Sequence, residues 1–62
     1  MELVMNSAKN AITRFKNGES LNYLTMSAVS ARYIIFELAT LDVKFTIKNY
    51  GLGVRRITAE VQ

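Results

Sequence analysis

The chain has 62 residues, a formal net charge of +3, and neither cysteine nor histidine. So short a chain makes one small domain over residues 1–62, and it buries only about 60% of its unfolded surface. Disulfides and thiolate metal sites are excluded, and the usual metal ligand and general base is missing.

Residues 2–16, ELVMNSAKNAITRFK, read as an amphipathic helix. Val4, Met5, Ala8, Ala11, Ile12 and Phe15 share one arc at helical spacing. Glu2 suits the positive end of its dipole, and Arg14 and Lys16 the negative end. Gly18 can end the helix in a left-handed residue. The same Asn17-Gly18 pair is also a hairpin signal, which would set residues 11–16 against 19–24. The longer helical stripe favours the helix.

Residues 19–26, ESLNYLTM, suggest a helix of about two turns over 20–25, with Leu21 and Leu24 inward. Ser27–Leu41 is the most apolar stretch and holds no glycine. It predicts a long helix over 28–41, capped by Ser27 or Ser30. Ile34, Leu38 and Leu41 form one apolar stripe, while Ala28, Ile35, Phe36 and Ala39 form another. A chain this small cannot cover both, so the second stripe predicts a homodimer contact through Ile35 or Phe36.

Beyond Asp42, Val43–Lys48 alternates apolar and polar residues, and Val54–Val61 does so again. Asn49-Tyr50-Gly51-Leu52-Gly53 between them is a turn, so the pair predicts an antiparallel hairpin over 43–48 and 54–61. Val4, Ala8, Ile12, Phe15, Leu24, Ile34, Leu38, Phe45, Ile47 and Ile57 are the expected core.

Charge is unevenly spread. In residues 1–42, Lys9, Arg14, Lys16 and Arg32 cancel Glu2, Glu19, Glu37 and Asp42. In residues 43–62, Lys44, Lys48, Arg55 and Arg56 face only Glu60, and the whole excess of +3 lies there. Clustered positive charge beside a neutral body suits an anionic partner, nucleic acid above all. Tyr23, Tyr33 and Tyr50 are candidates to stack on bases. Five scattered carboxylates and serines without a histidine offer no catalytic constellation, so no enzyme and no cofactor or metal is expected. Ala28–Ala39 is too short to cross a bilayer and carries Arg32 and Glu37, so the expected location is cytoplasmic, without a membrane.

Taken in order, helix, short helix, long helix and glycine-turned hairpin resemble a small winged helix-turn-helix domain of the bacteriophage type. The residues that carry the likeness are Val29-Ser30 with Arg32, Ile34, Leu38 and Leu41, then Val43, Phe45 and Ile47, then Gly51-Leu52-Gly53-Val54-Arg55-Arg56. The resemblance implies an α+β fold, three helices followed by a two-stranded antiparallel hairpin. It implies a DNA-binding regulator of transcription, whose third helix enters the major groove of double-stranded DNA while the wing meets the backbone. By position, Ser30, Ala31, Arg32 and Tyr33 become the helix contacts, and Lys48, Arg55 and Arg56 the wing contacts. Ile35 and Phe36 stand where a groove-reading helix shows polar groups. They suit dimerisation, or an alternative role as an inhibitor or adaptor docked on a host protein.

Overall fold

Helix α1 spans Asn6–Lys16 in the computed structural model, which describes residues 6–61. Glu2, Val4 and Met5, expected in its first turns, lie outside the described residues. Ala8, Ile12 and Phe15, at i, i+4 and i+7, form its buried stripe. The helix stops at Gly18, whose φ of 102° an L side chain rarely adopts. There the Glu19 N–H donates to the Arg14 carbonyl at 3.0 Å and the Gly18 N–H to the Phe15 carbonyl at 3.1 Å. These two bonds are a Schellman stop, so Asn17-Gly18 ends a helix and turns no hairpin.

The chain then becomes a strand, β1, over Leu21–Thr25. This corrects the short helix expected over 20–25, and with it the three-helix fold class: the described residues hold two helices and a three-stranded sheet. Leu21 and Leu24 stand three apart as on a helix face, yet they lie on opposite sides of the strand. Leu21 and Thr25 are buried, Tyr23 is half-buried, and Asn22 and Leu24 are exposed. The deciding bonds are non-local, because β1 pairs antiparallel with β3, Leu21 opposite Ala59 and Thr25 opposite Arg55.

Thr25 Oγ1 accepts from the Ser27 N–H at 2.9 Å and fixes the turn out of β1. Ser27 then caps α2, Ala28–Thr40, its Oγ accepting from the Ser30 N–H at 3.1 Å. The cap choice left open between two serines falls to Ser27. Ser30, Ala31, Ile34 and Leu38 are the buried face of α2. The helix ends in a second Schellman stop, with Asp42 at a φ of 58° and the Val43 N–H donating to the Leu38 carbonyl at 3.1 Å. Lys16 Nζ lies 3.5 Å from Glu37 Oε1 and links the two helices at the surface.

Strands β2, Thr46–Gly51, and β3, Val54–Ala59, form the hairpin. The first strand starts three residues later than the expected 43–48, and the second ends at 59 rather than 61. Leu52 and Gly53, both at positive φ, make a tight turn whose twist matches the strands. Sheet order is β1-β3-β2, antiparallel throughout, with β3 in the centre. Both helices pack on one face, enclosing Ala8, Ile12, Phe15, Leu21, Ala31, Ile34, Leu38, Ile57 and Ala59 in one core. Leu24, expected inside, is 52% exposed because it sits opposite Arg56 on the uncovered face. Ile47, also expected inside, is 42% exposed because every residue of the edge strand β2 lies at the surface. Phe45 is half-buried against the core.

Ser30 is fully buried, and its Oγ has no hydrogen-bond partner. An orphaned hydroxyl on a helix costs desolvation and helix propensity together, so Ser30→Ala should raise stability by about 0.5–1.5 kcal/mol. Urea unfolding followed by circular dichroism checks this, and a destabilised variant would mean that the hydroxyl has a partner.

Candidate nucleic-acid interface

The strand register sorts the charges by position along the sheet. Lys48 pairs with Arg56 and Thr25 with Arg55, so these cations share the level just below the hairpin turn. Chain leaving Thr25 turns at once into α2, which brings Arg32 to the same end. Arg32 and Arg55 line one shallow depression with Ala28, Ala31, Ile35 and Ile47. Among the described residues no carboxylate forms an ion pair with Arg32, Lys48, Arg55 or Arg56. The four described carboxylates lie away from them. Glu60 follows β3, Glu19 precedes β1, Asp42 ends α2, and Glu37 lies in its second half against Lys16. Lys44, counted with the basic third of the sequence, lies beside Glu60 at that far end. The hairpin end thus carries four cations, and the opposite end carries the anions.

Arg55 and Arg56, adjacent in the chain, point to opposite faces of β3. Arg55 faces the helical layer, half-buried over apolar groups. Arg56 lies across the uncovered face. Its Nε donates to the Tyr50 hydroxyl at 3.2 Å, and its Nη1 donates to Asn22 Oδ1 at 2.6 Å. One guanidinium therefore spans from β2 to β1 above the central strand. Tyr50 is the extra residue of a bulge, since Asn49 opposes Arg55 and Gly51 opposes Val54. A bulge re-aims a side chain, and here it places the ring beside Thr46, Lys48, Arg56 and Thr58. Asn49 Oδ1 steadies the bulge by accepting from the Gly51 N–H at 2.9 Å.

Other expected contacts divide. Ser30 and Ala31 are buried in the core and cannot reach a partner, which corrects their assignment to a groove-reading helix edge. With strand β1, not a helix, directly before α2, the helix-turn-helix frame that would present them is also absent. Arg32 and Lys48 are exposed, and Tyr33 is half-buried against the core. Of the expected dimer or partner residues, Ile35 packs partly on the core, while Phe36 is 69% exposed. Asn22 was missed because it fell inside the supposed short helix. Its signal was the alternation of Leu21, Tyr23 and Thr25 around it.

No group of acidic residues among those described is arranged to hold a metal ion, and no helix is long and apolar enough to cross a membrane. Compared with family models, with curated proteins and with solved structures, the chain finds no significant match in any of the three.

Proposed function

We propose that this chain is a non-enzymatic nucleic-acid-binding protein that grips phosphate backbones with its hairpin end. The observation that carries this reading is the segregation of Arg32, Lys48, Arg55 and Arg56 from every described carboxylate. Unpaired cations gathered on one end repel each other, and a polyanion relieves that repulsion while releasing its own counterions. Arg55 adds a local reason. The half-buried residue lies over apolar groups with no anion beside it, and a phosphate would supply one.

Such a grip positions the chain without reading bases. With Ser30 and Ala31 inside the core, α2 offers only Arg32 as a long polar reader in its first turns. A regulatory role would then come from covering nucleic acid rather than from choosing an operator. If the four cations each neutralise one phosphate, log affinity should fall against log salt with a slope of about −3.6 on duplex and about −2.8 on single strands. A mobility-shift or anisotropy titration at several salt concentrations measures it. No binding at low salt would refute the reading.

A second reading is favoured by Phe36, whose exposed ring on the outer side of α2 suits a second copy or a host protein. An apolar contact there hardly responds to salt, so the same titration separates the two.

A further inference from the structure

We infer that the uncovered face of the sheet is a platform for single-stranded nucleic acid, an inference that rests on the phosphate-binding reading above. The face is built by alternate residues of three strands: Asn22 and Leu24 of β1, Arg56 and Thr58 of β3, and Thr46, Lys48 and Tyr50 of β2. No helix covers it, and none of these residues is acidic. At about 4.8 Å between strands the face is about 10 Å wide, room for two or three splayed bases.

What selects a single strand is the way Arg56 is held. A guanidinium that reads a duplex must project into a groove and present its fork to a base edge. Arg56 instead commits its Nε to Tyr50 and its Nη1 to Asn22, and so is tied between neighbouring strands. Planar groups held close to a sheet surface are surfaces for stacking, and its remaining N–H groups stay available to a phosphate. Tyr50 supplies a second planar surface, 53% exposed and aimed by the bulge. Lys48 stands beside both, an exposed countercharge for the backbone. Bases inside a duplex are stacked on each other and cannot meet such a face. Unpaired bases can, and stacking on aromatic rings tolerates any base.

The chain carries its own probe. It has three tyrosines and no tryptophan, so its fluorescence reports tyrosine alone. Tyr23 exchanges a hydrogen bond with Ser7 Oγ at 2.8 Å on the helical side, and Tyr33 packs on the core. Quenching by a stacked base would therefore come from Tyr50. An oligothymidine of about twelve nucleotides should quench the emission and bind at least about tenfold tighter than a duplex of equal length, one stacked base being worth that order. Tyr50→Leu should abolish the quench and weaken binding by about fivefold or more while leaving the salt slope unchanged. Tyr50→Phe keeps the ring and should bind nearly as the wild type does. Duplex binding that equals or exceeds single-strand binding, with no quench, would overturn the platform and leave the phosphate-binding reading standing. Failure to bind either form at low salt would overturn both. The wild-type comparison needs no variant, so a misfolded Tyr50→Leu could not obscure the answer.

Discussion

Ile57→Ala should bring the protein close to its unfolding midpoint at room temperature. Ile57 is fully buried at the centre of β3, with Tyr23 opposite on one side and Ile47 on the other. It belongs to the core that holds Ile12 and Ile34 from the two helices. Truncating a fully buried isoleucine to alanine costs about 2–5 kcal/mol, transfer and cavity together. A chain of 62 residues has about 3–9 kcal/mol in all. The loss is therefore comparable to the whole stability, and the melting temperature should fall by about 15–40 °C. Ile47→Ala is the matched control. It removes the same atoms from the residue directly opposite, yet that side chain is 42% exposed on an edge strand. Its cost should stay below about 1.5 kcal/mol. Equal losses in thermal unfolding would mean that β2 is covered after all.

Replacing Arg32, Lys48, Arg55 and Arg56 together by alanine should remove measurable nucleic-acid binding. The expected slope of about −3.6 should flatten towards zero, and affinity at about 50 mM salt should drop at least about a hundredfold. A loss of net charge alone cannot be mistaken for this. The chain has eight lysines and arginines, and the other four are Lys9, Arg14, Lys16 and Lys44. Replacing those instead changes the net charge by the same amount, from +3 to −1. That second variant should keep most of its affinity, because its lost cations lie away from the hairpin end. Equal loss in both variants, read by anisotropy at matched salt, would assign binding to overall charge and refute the localised grip.

How much of this was legible beforehand depends on how local each signal is. Both helices were readable because Ile12 and Phe15 repeat at helical spacing, as do Ile34 and Leu38. Their stops were partly readable. Gly18 announced one, and the apolar pattern of the other broke at Asp42, although Asp42 holds a left-handed conformation that sequence favours in glycine. The tight turn was readable from Gly51 and Gly53. Strand β1 was not, because its bonds are to residues about 35 positions away and its local signal, the alternation of Leu21, Tyr23 and Thr25, is only five residues long. Leu21 and Leu24 also mimic a helical face. The candidate site suffered from the same blindness. Arg55 and Arg56 look like one cluster in the sequence, but strand alternation sends them to opposite faces. The tie from Arg56 to Asn22 exists only because β1 is a strand. Ser30 and Ala31 were misplaced for a different reason. The resemblance supplied an outward-facing helix edge, while the small side chains there let α2 approach the core closely.

The order of strands in the sheet has a consequence for synthesis. Strands β1 and β2 never touch each other, and both depend on β3, which the chain reaches after them. A chain that has emerged only as far as Gly53 has two helices that can pack on each other, and two strands without the one that lies between them. Their open edges and the apolar faces of Leu21 and Ile34 are then available to other chains. Once β3 emerges, it closes the short link to β2 first, since that loop costs little entropy, and the long link to β1 afterwards. The emerging chain is therefore exposed until β3 docks, and the speed of that docking sets how long.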